Sequence, residues 1–214
     1  MVKPLVATFL ALLSVPAYHA SSRPLPASLR AEMVTAKEWH TGCPVPLSGF
    51  RLLSVTYWGF DGHAHTGRLV VNTSAVHPLS VVFRKLYALR FPIRHMALSD
   101  EYGPVSGRPA DGDVSASTEC RQAVPSPCTS GTGTGHWSEH AYGLAVDLNP
   151  VENPYVGCGQ TRDKTAVSFM NRSRVRPGMV TPAVVAAFRS VGWGWGGSWL
   201  GSTKDYMHFS ANGH

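Results

Sequence analysis

Two histidines and two aspartates are spaced in the sequence as one metal ion would need them. In Ser138-Glu139-His140-Ala141-Tyr142-Gly143-Leu144-Ala145-Val146-Asp147-Leu148-Asn149-Pro150, His140 and Asp147 stand seven residues apart across a glycine. An imidazole nitrogen and a carboxylate oxygen are donors that zinc accepts. A second imidazole would complete a three-ligand site with one position open. His208 supplies it, in Lys204-Asp205-Tyr206-Met207-His208-Phe209. Asp205, three residues earlier, is left free to move a proton. Such an arrangement describes a zinc hydrolase.

The spacing restricts the local structure. On one helix, His140 and Asp147 would be separated by about 10.5 Å of rise, too far to share an ion. In one straight strand their odd separation would send them to opposite faces. A bend at Gly143 feeding a strand over 144–149 resolves both, with His140 folding back and Asp147 projecting opposite Val146 and Leu148. By the same parity, a strand carrying Tyr206 and His208 puts Asp205 at the turn before it, near the ion without binding it.

The elements that must position these residues follow from periodicity. Arg51 to Phe60 is strand-like, Asp61-Gly62 turns the chain, and Gly67 to Asn72 returns as a second strand. Leu79, Val82, Phe83, Leu86 and Leu89 recur at helical spacing, with Pro78 in the first turn and Pro92 beyond the end. Phe91 to Met96 reads as a central strand, with Arg94 at its edge either lining a site or snorkelling. A long loop covers 99–135, and its glycines lack the Gly-Lys-Ser/Thr of a phosphate cradle. Thr181 and Pro182 open a second helix, with Val184, Val185, Phe188 and Val191 on its apolar stripe and Gly192 at its stop. Trp193 and Trp195 read as core pieces, and Trp137 as a cleft wall. His63 and His65, at the hairpin turn, could bind metal as any such pair can, but read as structural or as lining the cleft because the ligand set is complete without them.

Residues 1–22 read as a secretory signal peptide: Lys3 precedes an apolar run, Leu5 to Val15, too short to span a bilayer. Val15-Pro16-Ala17 and Ala20-Ser21-Ser22 both offer small residues for cleavage. Residues 23–42, rich in Pro, Ser and Ala, read as a linker or pro-like arm, and 43–214 as one domain. Cys43, Cys120, Cys128 and Cys158 suit an oxidising compartment and two disulfides, with three pairings open. A net charge of +6 fits attraction to an acidic bacterial envelope. An exported chain with no basic cluster is not expected to meet nucleic acid. After leader removal, a monomer without stable membrane insertion is expected.

With these motifs the sequence resembles the zinc D-alanyl-D-alanine carboxypeptidase and L-alanyl-D-glutamate peptidase family of the VanY type. That family's signature is Ser-x-His-x6-Asp followed by Glu or Asp-x-x-His. Trp137 to Asp147, Gly192 to Gly197 and Lys204 to Phe209 are similar to its secreted actinobacterial members. The resemblance runs from about Cys43 onward and implies an α+β, hedgehog/DD-peptidase-like single domain, with a small antiparallel sheet flanked by helices.

It further implies zinc on His140, Asp147 and His208, peptidoglycan stem peptides as substrate, and a secreted, wall-associated location. Asp205 would be the general base, and Ser138 would orient the substrate. Arg121 takes the place of a family arginine that meets the substrate's carboxylate or its polarised carbonyl. The flanking Thr118-Glu119-Cys120-Arg121 departs from the family's frequent Phe-Asn-Cys-Arg. D-Ala-D-Ala carboxypeptidase action is the first expectation and L-Ala-D-Glu endopeptidase action the second. A third is a non-catalytic wall binder that keeps its metal, as hedgehog domains do. Gly-x-Ser-x-Gly, Ser-x-x-Lys and His-Glu-x-x-His are all absent, which disfavours serine peptidases and thermolysin-like enzymes.

Overall fold

In the computed structural model, which describes residues 16–96, 98, 111–129 and 133–214, the first described element belongs to a sheet. Strand β1 (Ala20–Pro24) is followed by helix α1 (Ala27–Thr35), then by the hairpin β2 (Phe50–Gly59) and β3 (Ala64–Asn72). Helix α2 (Val76–Ala88) leads to the short strands β4 (Pro92–Ile93), β5 (His95–Met96) and β6 (Val114–Ser115). Next come β7 (Ala145–Asp147), β8 (Tyr155–Gly157) and β9 (Gln160–Thr161). Helix α3 (Pro182–Arg189) precedes β10 (Gly194–Trp195), β11 (Lys204–Asp205) and β12 (His208–Ser210). The class is α+β.

The main sheet runs β1-β2-β3, antiparallel throughout, with β4 added parallel to β2. β2 shows little polar alternation because both its faces are covered. Leu53 and Val55 join Leu69, Val71, Leu79, Phe83 and Phe188 under α2 and α3. Phe50 and Leu52 turn to the other side, where α1 brings Leu29 and Met33. Each such side chain, once fully buried, stabilises the fold by roughly 1.5–3 kcal/mol. β7 and β12 extend the first cluster with Val146, Leu148 and Phe209, all at 0% exposure. The cleft is thereby tied to the main core.

Several expectations need correction. Residues 23–42, read from composition as a linker or pro-like arm, finish β1 and form α1, because Leu25, Leu29 and Met33 have an apolar face to cover. A leader ending at 22 would cut β1 in the middle of its pairing with β2, where Ser22 faces Leu53. Cleavage at Val15-Pro16-Ala17 would leave β1 whole, together with the bond from the Tyr18 hydroxyl to Ser80 O. The apolar run from Leu5 to Val15 lies outside the described residues, as do residues 99–110 and 130–132 of the expected long loop. Phe91 to Met96 is not one central strand. It breaks at Arg94, whose N–H donates to Asn149 Oδ1, so β4 joins β2 while β5 pairs with β6.

The cysteines pair as Cys43–Cys120 and Cys128–Cys158. The first ties the segment after α1 to the loop that carries Arg121. The second fastens the 124–129 loop to the β8–β9 hairpin. Among the described residues no helix is long and apolar enough to cross a membrane.

Candidate metal centre and cleft

Ser138 opens a single 3₁₀ turn, Glu139–Tyr142, and its Oγ accepts a hydrogen bond from His140 N. Gly143 then takes φ +64°, and an added Cβ there would meet Asn72 N at 2.7 Å. The glycine therefore allows both the reversal and the close approach to β3. His140 folds back from the turn, while β7 carries Asp147 out on the face opposite Val146 and Leu148. β12 pairs with β7 so that His208 lies directly across from Asp147. The expected bend and strand parity are both present. Asp205, expected at a turn, instead ends β11 and pairs with Tyr155 of β8.

The possible ligand atoms of His140, Asp147 and His208 all lie within 4.8 Å of one another. His208 Nδ1 is 3.2 Å from Asp147 Oδ1 and 3.2 Å from His140 Nε2, and Asp147 Oδ2 is 3.3 Å from His140 Nε2. Both rings are supported from behind. His140 Nδ1–H donates to Ser117 O, and His208 Nε2–H donates to the main-chain oxygen of His214 at 3.2 Å. Each ring thus turns its other nitrogen toward the carboxylate. Second contacts of this kind fix the tautomer of metal-binding histidines. The donor set fits zinc: two imidazoles and a carboxylate converge with their outer nitrogens already satisfied.

Burial alone would raise the Asp147 pKa, but the two imidazoles prevail and hold it far below the usual carboxylate range. His208 is raised despite its burial, by Asp147 first and then by Asp205. Asp205 is pushed up to about 7 by burial and by the Asp147 charge, against the pull of His208 and Arg121. Its Oδ1 is buried with no hydrogen-bond partner. A carboxylate oxygen left unsatisfied near neutrality can accept a proton.

These residues lie in a cavity of about 400 Å3. Arg121 and Ser138 line it, as do Trp137, Tyr155 and Trp199. Arg121 Nε donates to Glu119, so its guanidinium reaches the cavity already paired. Trp137 is at the wall, as its position beside the motif predicts. Trp193 is buried, and Trp195 packs on Phe209 with its Nε1 donating to Tyr206 O. His65 pairs with Asp61 on the exposed hairpin and does not line the cavity.

Sequence reasoning missed Arg162, Asn212 and His214, all lining the cavity. No spacing links them to the motifs, since Arg162 comes in just after β9 and Asn212 and His214 from the turn after β12. Glu139 also lines it, with its pKa raised by burial against the pull of His208. Arg94 is not among the lining residues. It stacks over Phe60 and pairs with Glu152 at 3.0 Å and Asp113 at 3.5 Å behind the cleft. There Asp113 Oδ2 and Glu152 Oε2 are buried without a hydrogen-bond partner, so a proton shared between the two carboxyls would satisfy both.

Residues 132–211 match the family model described as D-alanyl-D-alanine carboxypeptidase. The match covers less than half of the chain, but it contains His140, Asp147, Asp205 and His208. Sequence similarity and geometry therefore bear on the same atoms, and together they support a hydrolase of the metallopeptidase class. Neither the curated proteins nor the solved structures gave a match to the chain.

Proposed function

We propose that the protein is a zinc-dependent peptidase of peptidoglycan stem peptides, acting first as a D-alanyl-D-alanine carboxypeptidase. The observation that carries this reading is the convergence of His140, Asp147 and His208 in a cavity beside the buried, unpartnered oxygen of Asp205. Zinc held by those three side chains would supply a Lewis acid that acidifies water and polarises the scissile carbonyl. Asp205 accepts the proton of the attacking water and returns it to the leaving amine. Arg121 binds a carboxylate or the developing oxyanion at the cavity wall. Ser138 holds His140 in place through its cap and offers its hydroxyl hydrogen to the substrate. The two disulfides suit the oxidising exterior where such a substrate is found, and we place the protein there as a secreted, wall-associated monomer.

The pairing of Arg121 with Glu119 favours one second reading. A guanidinium already partly neutralised is a weaker reader of a terminal carboxylate, and L-Ala-D-Glu endopeptidase action would not need one.

Mass spectrometry of defined stem peptides separates these readings. A peptide ending in D-Ala-D-Ala should be cut, its C-terminal amide should be cut poorly, and chelator should stop both. Arg121→Ala should lower kcat/KM on the acid by about tenfold to a hundredfold and largely erase the preference. Equal cleavage of acid and amide by the wild type would leave the endopeptidase. No cleavage of any stem peptide by zinc-loaded protein would leave a non-catalytic wall binder. A preference that survives in Arg121→Ala would direct attention to Arg162.

A further inference from the structure

The two histidines of the cluster are supported very differently. His140 leans on Ser117 O, within the segment after β6 where Ser117 is 1% exposed and bonded through its Oγ to Ala145 O. His208 leans on the turn that follows β12, at the rim of the cleft. A buried imidazole that presents Nδ1 as a lone pair must carry its proton on Nε2. That N–H needs an acceptor, and the His214 main-chain oxygen is the one in place.

The turn is built to aim that oxygen. His214 N donates to Asn212 Oδ1 at 2.8 Å, and the Ser210 hydroxyl donates to His214 O at 2.9 Å, with Asn212 Oδ1 3.3 Å from the same Oγ. Gly213 adopts φ +84°, and a Cβ added to Gly194 would come within 2.5 Å of its Cα, so two glycines let the turn close against β10. Trp199 Nε1 donates to Gly213 O at 2.6 Å, and the Trp199 ring stacks on that of His214. Trp199 is itself held by Lys204 Nζ, which donates to Trp199 O.

We propose that the turn Ser210–His214 is a latch for the metal centre, with His214 a positioning residue whose main-chain oxygen fixes the His208 ring. The latch rests on the reading of His140, Asp147 and His208 as metal ligands, but not on any peptidase activity. Trp199 lines the cavity and also grips the latch, so a ligand seated against Trp199 would be coupled to metal affinity through His208.

Zinc affinity, measured by competition with a chromophoric chelator, tests this together with the visible spectrum of the cobalt-substituted protein. Deleting residues 213–214 removes the acceptor and should weaken zinc about 10–100-fold and alter the cobalt bands. His214→Ala keeps the main-chain oxygen and should bind like the wild type, with the same spectrum. Asn212→Ala keeps the full chain but frees the turn, and should fall between them, which keeps the test open if the deletion does not fold. Deletion and Asn212→Ala proteins that bind zinc as tightly as wild type, with unchanged spectra, would overturn the latch alone. A loss in His214→Ala as large as in the deletion would assign the role to the ring and overturn it as stated. A wild type that takes up no zinc would overturn the metal centre and the latch with it, whatever its action on peptides.

Discussion

The floor and one wall of the cleft are held in place by different means. β7 and β12, which carry Asp147 and His208, are backed by Val146, Leu148 and Phe209, and Phe209 stacks on Phe188 at 3.8 Å between ring centroids. The wall is β11-β8-β9 with the 124–129 loop, and none of its residues belongs to either core cluster. Its fasteners are the Cys128–Cys158 disulfide and bonds such as Tyr155 Oη to Val124 O, Gln160 Nε2 to Pro127 O and Arg162 Nη2 to Pro125 O. Close packing leaves a strand pair few alternative positions, so the ligands sit where positional error would be most costly. The core does not depend on the wall for its packing. Metal binding and substrate fit should therefore fail separately.

The largest break aims at the floor's chemistry. His208→Ala should lose zinc and turnover together while the fold persists, because Phe209 and Phe188 still pack. Elemental analysis showing full zinc in that variant would remove His208 from the ligand set.

Asp205 stands at the seam, on a wall strand but beside the floor's carboxylate. Asp205→Asn should keep its zinc and lose roughly 10²–10⁴-fold in kcat. Near-normal turnover would shift the base to another cavity carboxyl, with Glu139 the next to change.

The wall is tested by replacing Cys128 and Cys158 together with serine. Loss of this crosslink should cost about 2–4 kcal/mol of stability and raise KM, with zinc affinity unchanged. If zinc affinity falls as far as substrate affinity, floor and wall are not independent.

The smallest effect lies behind the floor. Asp113, buried beside Glu152, has its pKa pushed up to about 8 by burial first and by Glu152 second. The folded protein thus keeps a proton that the unfolded chain releases near the ordinary value of 3.8. The stabilisation is full below that value and is lost as pH rises toward 8. Asn at this position mimics the protonated form, since its amide can donate to Glu152. Asp113→Asn should match the wild type near pH 4 and exceed it by about 1–3 kcal/mol at pH 8. Urea unfolding at several pH values checks this, and parallel curves for the two proteins would show that the carboxyls share no proton.

Part of the site was legible in the sequence because it is local. Donor types, the Gly143 bend and strand parity bring His140 back toward Asp147, whereas His208 joins them only through the pairing of β12 with β7, across 61 residues of chain. The β2–β3 hairpin was legible from its turn residues and extended apolar runs, and α2 and α3 from a single apolar stripe each. The sequence also indicated two disulfides, though not their pairing.

Other features waited for the tertiary structure. Residues 23–42 look like a linker in composition, and only the apolar groove beside Phe50 and Leu52 makes α1 worth forming. The strand expected over Phe91 to Met96 divides because Asn149, 55 residues away, takes the Arg94 N–H. The cysteine partners, Arg162 and the His214 support for His208 likewise depend on which distant segments meet. No local preference encodes such meetings, because they are settled by how the whole chain buries its apolar surface and satisfies the polar groups it encloses.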